Sequence, residues 1–359
     1  TEEIAIFEVR NYRFPEIQIA ERYSRENLYP YLFSHSIGYV GNLDEEKLQE
    51  ILSSQNLESN ETIFTYSNGF LNGKTGIEYI YDEKLRGLFG KKIYEVDASG
   101  RLLQEKQMIP AVAGEDIFTS LDLSSQKVAY DELNNRRGAV VAVDINDGSI
   151  VTYASSPSFS VNKIANGLTQ NEFDELINDD DKPFFDRAAQ GRYSPASTIK
   201  PAIGLFGIDK DILDWEYTIQ DPGFFILPED GRIYRGWKKG GHGEINLKDA
   251  IIESSNTFFF SLAYQTEIEE LRAHLSNFGF GKNVCDDCFM PDNGLLPSPR
   301  WKMNTHNFGW FKGDTVNVGV GQGYINATPI QLAYYSAFLA TKGNINKFSF
   351  VQDLSLIHI

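Results

Sequence analysis

The stretch Ser194-Pro195-Ala196-Ser197-Thr198-Ile199-Lys200-Pro201 constrains this chain more than any other. Proline lacks an N–H and has a fixed φ, so it suits the first position of a helix and disturbs positions further in. The pattern predicts a helix starting here, with Ser194 as N-cap and Pro195 at the first helical position. Ser197 and Lys200 then fall one turn apart on the same face. Pro201 denies the Ser197 carbonyl its usual helical donor, so the turn is expected to be irregular.

A serine hydroxyl is a poor nucleophile until a base takes its proton. A lysine can be that base when burial and neighbouring positive charge keep it neutral. The helix N-terminus adds partial positive charge where an oxyanion would form. Alone, Ser-x-x-Lys also describes an ordinary surface helix, and average composition yields it about once or twice in a chain this long. A second element changes its meaning. Ser254-Ser255-Asn256 supplies a hydroxyl that can relay a proton and an amide that can donate and accept. Phe258-Phe259-Phe260 behind it would bury the segment and help to keep a nearby lysine neutral. Ser-x-x-Lys followed by Ser-x-Asn is the signature of penicillin-recognising serine enzymes, which also carry Lys-Thr-Gly.

Around these motifs the chain resembles the class B penicillin-binding proteins, closest to the elongation type, penicillin-binding protein 2. The resemblance runs along nearly all of residues 1–350. Ser36-Ile37-Gly38-Tyr39-Val40-Gly41 and Gly73-Lys74-Thr75-Gly76-Ile77-Glu78, with Tyr81 and Leu85-Arg86-Gly87, are similar to N-terminal segments of that family. Thr119-Ser120-Leu121-Asp122-Leu123 with Gln126 is similar to the entry into its transpeptidase domain. Gly138-Ala139-Val140-Val141-Ala142-Val143-Asp144 and Ser156-Pro157-Ser158-Phe159 are similar to its first sheet strands and the loop after them. Asp221-Pro222-Gly223, Tyr234-Arg235, Trp237-Lys238, Gly241-His242-Gly243, Gly319-Val320-Gly321-Gln322-Gly323-Tyr324 and Ala327-Thr328-Pro329-Ile330-Gln331 complete the match.

The resemblance implies a peptidoglycan D,D-transpeptidase that cross-links stem peptides during cell elongation and is acylated by β-lactams. Ser197 would be the nucleophile, Lys200 its base, Ser254 the proton relay to the leaving group, and Asn256 the holder of the substrate amide and of Lys200. The Ser197 N–H would be half of the oxyanion hole. Ser255, Gly321 and Gln322 would line the substrate site. Ala196 replaces the family's usual glycine, and Asn256 stands where many penicillin-binding protein 2 members carry Asp. The implied partners are a membrane glycosyltransferase and rod-complex proteins. The implied location is the inner membrane, through an N-terminal anchor, with the catalytic domain in the periplasm. No cofactor is implied. Two other readings remain: a β-lactam-hydrolysing or sensing relative, against which the N-terminal domain and the Gly241-His242-Gly243 region speak, and a non-catalytic scaffold role.

Lys74-Thr75-Gly76 precedes the nucleophile, whereas the family's Lys-Thr-Gly strand follows Ser-x-Asn, so it is expected to be a decoy. No other Lys-Thr-Gly occurs. Leu354-Ser355-Leu356-Ile357-His358-Ile359 is the translation of a common transposase sequencing-adapter end and is expected to be a scar. The expectation is therefore a chain truncated at both ends, lacking the anchor and the third motif, and inactive as it stands.

The length of 359 residues accommodates two domains. The net charge of −17 speaks against nucleic acid as a partner. No run of about 20 apolar residues is present, so no span is expected within this sequence. Cys285-Asp286-Asp287-Cys288 is compatible with a short-loop disulfide, half a zinc site or surface thiols. Some penicillin-binding protein 2 members hold zinc through Asp, Asp, His and Cys. The matching positions here are Asp221, Gly236, His242 and Ser255, so two ligands are gone and no metal is expected. His242 is then read as a hydrogen-bonded structural residue.

Residues 1–112 read as a β-rich N-terminal pedestal with turns at Asn72-Gly73 and Ser99-Gly100, a strand over Lys92–Val96, and a helix over Glu45–Ser54 with Leu48 and Leu52 on one face. Residues 113–353 read as the transpeptidase domain, an antiparallel sheet flanked by helices, with its C-terminal part missing. A helix is expected within 115–137, ending at Arg136-Arg137-Gly138, then a hairpin of Val140–Val143 and Ile150–Ala154 around Asn146-Asp147-Gly148. The remainder is expected to be mostly helical with long loops, including 286–316. The class is α+β.

Overall fold

The structure, a computed structural model, describes residues 2–10, 13, 25–43, 46, 47, 50, 71–97 and 102–351. Its N-terminal part is built from short antiparallel pairs: Val40–Asn42 with Leu71–Gly73, and Lys91–Val96 with Leu102–Ile109. The second pair contains the strand that alternation predicts. The first corrects the sequence reading, because Asn72-Gly73 lies within a strand and not in a turn. The cause is tertiary. Lys74 N–H donates to the Tyr39 carbonyl at 2.8 Å, and Ile77 and Glu78 donate to Ser36 and Ile37 at 3.0 Å each. These bonds draw 71–73 out beside 40–42 and override a local turn preference. Lys74-Thr75-Gly76 is the joint between that strand and the helix Gly76–Ile80. Of the helix expected over Glu45–Ser54, only Glu46, Lys47 and Glu50 are described, all helical; Leu48 and Leu52 lie outside the described residues, as do Ser99-Gly100 and 354–359.

Asp122 starts the helix Leu123–Leu133 by accepting the Ser125 N–H at 2.8 Å, and left-handed Asn134 ends it. Gly138–Val143 and Ile150–Ser156 then form the expected hairpin, closed by the Gly148 N–H on the Asp144 carbonyl at 2.9 Å. The helices Leu123–Leu133 and Pro329–Ala340 pack against it. Residues 348–351 run alongside, with Ile150 N–H on the Ser349 carbonyl at 2.9 Å and Ser120 N–H on the Phe350 carbonyl at 2.8 Å. Ile150, Tyr153, Ile330, Ala337, Phe348 and Phe350 fill the core beneath.

A second core lies among the helices Lys200–Asp209, Asn256–Tyr264, Ile268–Asn277 and Lys312–Val318. Phe258, Phe259 and Phe260 are buried in it, as their apolar run predicts. Each such ring stabilises the fold by about 2 kcal/mol. Residues 218–246, expected to be helical or loop, instead form two small antiparallel pairs: Thr218–Asp221 with Gly243–Asn246, and Phe224–Ile226 with Ile233–Arg235. Strands of three or four residues offer too few alternating positions for the pattern to show. Nor is 286–316 one long loop, since it contains the helices Pro299–His306 and Lys312–Val318. Cys285 and Cys288 are joined in a disulfide and both are buried, which removes the surface-thiol reading. Among the described residues no helix is long and apolar enough to cross a membrane.

Candidate active site

The chain enters the site through a 3-10 turn, Ala196–Ile199, that runs directly into the helix Lys200–Asp209. Ser194 does not cap it. Pro195 occupies that position, and its carbonyl accepts both the Thr198 hydroxyl at 2.6 Å and the Thr198 N–H at 3.3 Å. The Ser197 carbonyl, expected to lose its partner to Pro201, takes the Lys200 N–H instead. That tighter i to i+3 bond is the structural answer to the missing proline donor. Ala196 has φ 50°, a left-handed value that explains why a glycine suits this position. Its N–H is held by the Gly321 carbonyl at 2.8 Å. Ser197 is exposed, and among the described residues neither its hydroxyl nor its N–H has a hydrogen-bond partner.

Lys200 points inward and is 1% exposed. Its Nζ donates to the Ser254 carbonyl at 2.7 Å, the Ser254 hydroxyl at 3.1 Å and Asn256 Oδ1 at 2.8 Å, and lies over the Phe259 ring at 5.4 Å. Burial pulls its pKa down to about 8. The structure thus brings Lys200, Ser254 and Asn256 into direct contact, with Ser197 on the same turn as Lys200.

Ser254 sits between the helices Leu247–Ile252 and Asn256–Tyr264 at φ 53°. Ser255 is fully buried. Its hydroxyl donates to Asp221 Oδ2 at 2.8 Å and accepts the Phe258 N–H at 3.2 Å as the cap of the second helix. Expected to line the substrate site, Ser255 is turned away from it into the protein. Gly321 is buried behind Ala196, and Gln322 is exposed just after it. Lys74-Thr75-Gly76 lies against Ser36–Tyr39.

Asp221 ends its strand opposite Gly243, which sets His242 beside it. A carboxylate can only accept, so His242 donates from Nδ1, at 2.6 Å to Oδ2. Gly223 N–H donates to Oδ1 at 2.7 Å. Burial by itself would raise the Asp221 pKa, but the bonds from His242, Gly223 and Ser255 outweigh it and hold the carboxyl below its ordinary value. These residues do not fit the zinc of some relatives. Gly236 brings no side chain, and the Ser255 hydroxyl is committed to Asp221. One further contact was not legible in the motifs: the Trp237 indole N–H donates to the Glu253 carbonyl at 3.1 Å.

Residues 138–356 match the penicillin-binding protein transpeptidase domain, and residues 1–119 match the penicillin-binding protein dimerisation domain. The chain belongs to the penicillin-binding protein transpeptidase family. It is 38% identical over 341 residues to the peptidoglycan D,D-transpeptidase MrdA of Acinetobacter baumannii, covering 95% of this chain and 49% of that protein. It is 34% identical over 343 residues to MrdA of Escherichia coli K12, covering 95% of this chain and 53% of that one. The chain spans about half the length of the curated relatives it matches. Among solved structures, Pseudomonas aeruginosa PBP2 in complex with WCK 5153 superposes with a TM-score of 0.80 at 34% identity, over 94% of this chain and 68% of that one. Helicobacter pylori PBP2 in complex with MreC superposes with a TM-score of 0.83 at 29% identity, over 98% of this chain and 64% of that one.

Proposed function

We propose that the protein is a peptidoglycan D,D-transpeptidase working through a Ser197 acyl-enzyme, and a covalent target of β-lactams. The observation that carries this reading is Lys200, buried, with Nζ on Ser254 and Asn256 and a pKa drawn down to about 8. In its neutral form Lys200 takes the Ser197 proton as Oγ bonds to the carbonyl carbon of the penultimate D-Ala. The Ser197 N–H, free of any partner among the described residues, faces the developing oxyanion. The C–N bond then breaks. Ser254 passes its proton to the departing D-Ala amine and recovers one from the Lys200 ammonium. An amine from a neighbouring stem resolves the ester by the same steps reversed. Asn256 holds Lys200 through Oδ1, leaving its NH₂ for the substrate amide. Gln322, exposed next to Gly321, is proposed to line the peptide's path, with Gly321 supporting the nucleophile turn from behind through its bond to Ala196. The N-terminal part, residues 1–112, is the partner-binding portion; the Helicobacter relative was solved with MreC. A rod-complex scaffold and a membrane glycosyltransferase are its proposed partners, at the periplasmic face of the inner membrane.

The test is labelling of the complete gene product by a fluorescent penicillin. Labelling that Ser197→Ala abolishes is expected, with a penicilloyl ester that outlasts gel electrophoresis. Labelling that persists in Ser197→Ala overturns the assignment, and an ester lifetime on the order of seconds would make the protein a hydrolase instead.

A further inference from the structure

The left-handed backbone of Ser254 has to be held by something, because φ 53° in a serine costs about 1–2 kcal/mol. The structure shows what grips it. On one side the Glu253 carbonyl takes the Trp237 indole N–H at 3.1 Å. On the other, the Ser255 hydroxyl reaches Asp221 Oδ2 at 2.8 Å. Asp221 ends the strand Thr218–Asp221, and Trp237 lies in the excursion that runs from there to its partner strand Gly243–Asn246. His242 locks that excursion: its ring donates to the same Asp221 oxygen at 2.6 Å and its N–H to the Asp221 carbonyl at 3.1 Å. Gly241 allows the close approach, since a Cβ there would lie 1.9 Å from the Asp221 carbonyl oxygen. The Trp237 and His242 rings then meet edge to face at 5.6 Å.

We propose that Asp221, His242 and Trp237 are positioning residues that clamp Glu253 and Ser255, fix Ser254 between them, and so keep Ser254 and Asn256 on Lys200, by hydrogen bonds and without a metal ion. The residues that would complete a metal site are replaced by Gly236, which has no donor, and by Ser255, whose hydroxyl serves the clamp itself. Among the described residues none of the three is hydrogen-bonded to Lys200 or Ser197; they act through the 253–256 segment. A loosened clamp therefore slows the chemical step and spares binding that precedes it.

The proposal rests on the transpeptidase reading for its kinetic arm alone. In the complete gene product, penicillin acylation is resolved into a non-covalent binding constant and a first-order acylation constant for Ser255→Ala and for Trp237→Phe. Trp237 is 63% exposed, so that variant removes one surface N–H and leaves the core intact. The expected result is an acylation constant lower by about tenfold to a hundredfold, with binding within about twofold of the parent. Ser255→Thr, which keeps the hydroxyl, should restore the rate. Amide hydrogen exchange across 253–258, read by mass spectrometry, should quicken in the same two variants and needs no acylation. If the parent itself does not label, the functional reading fails while the exchange result still decides the clamp. Parental exchange and parental acylation in both variants would overturn the proposal. So would loss of acylation in a chelator that added zinc restores.

Discussion

Lys200 is surrounded by three acceptors, which matches the three protons of an ammonium. A neutral amine has two protons and a lone pair, so one of those bonds must give way before it can act as a base. The Ser254 carbonyl and Asn256 Oδ1 can only accept; the Ser254 hydroxyl alone can turn and become a donor. The proposed proton relay through Ser254 rests on which partner is able to reverse. With a pKa of about 8, set by burial, the neutral fraction is about a tenth at pH 7 and about nine tenths at pH 9. Acylation of the complete gene product should rise about tenfold over that interval and then level off. A rate flat from pH 7 to 9 would remove Lys200 from the role of base. Lys200→Arg, which stays charged, should lose both the rate and its rise. The same depression has a sign in stability. Between about pH 8 and 10.5 the unfolded lysine binds a proton that the folded one does not, so this group's contribution grows as pH rises through that window. Ser197, Lys200, Ser254 and Asn256 were legible in sequence because each pair lies within one turn and a hydroxyl or amine reveals its chemistry by type. The duties of Ser255 and Trp237 were not. Their partners lie 34 and 16 residues away and are met only through an excursion whose path no local pattern encodes.

The turn that carries Ser197, the proposed nucleophile, is an element with two backbone conflicts resolved against each other. Ala196 is left-handed at φ 50°, and Gly321, at φ 68°, presents its carbonyl to the Ala196 N–H. A Cβ on Gly321 would lie 2.2 Å from the Ala196 carbonyl oxygen, so no side chain fits without displacing the turn. Gly321→Ala should therefore lower the acylation rate and the melting temperature together. Ala196→Gly should do the reverse for stability, by about 1 kcal/mol, because it removes the left-handed penalty and disturbs no side-chain contact of the site. Chemical denaturation of the two variants decides it, and an Ala196→Gly protein less stable than the parent would show that the strain is not there. The hairpin about Asn146-Asp147-Gly148 was read correctly from its repeated signals, and a helix within 115–137 was expected, but its start at Asp122 and its end at Asn134 rather than at Arg136-Arg137-Gly138 were not. Asn72-Gly73 misled because its turn preference was outbid by strand pairing with Val40–Asn42. The short strands between 218 and 246 went unseen because they are ordered by each other and by Asp221, not by alternation.

At the scale of the molecule, the N-terminal segment and the transpeptidase core are tied through one buried side chain. Gln126 donates to the Leu32 carbonyl at 2.6 Å and to the Tyr153 carbonyl at 2.8 Å, while its Oε1 accepts the Tyr153 N–H at 2.8 Å. Tyr153 in turn donates to Asp186 Oδ2 at 2.6 Å. The segment is held further along as well, by Asn162 against the Asn27 backbone and by Val161 N–H on the Pro30 carbonyl at 3.1 Å. His35, half-buried against Phe159, bonds the Pro183 carbonyl at 2.9 Å. The sequence marked Gln126 only as part of a motif; its physical work, satisfying one backbone group of Leu32 and two of Tyr153, needs the fold to be seen. Gln126→Leu keeps the volume and leaves those groups unpaired, each at about 1–3 kcal/mol. The loss should not spread evenly. Residues 28–38 should lose protection from hydrogen exchange while 199–206, packed in the separate helical core, keep theirs. Equal loss in both would mean that the N-terminal segment and the helical core open as a single unit, and that the Ser197 turn depends for its order on a contact made at Tyr153 of the hairpin.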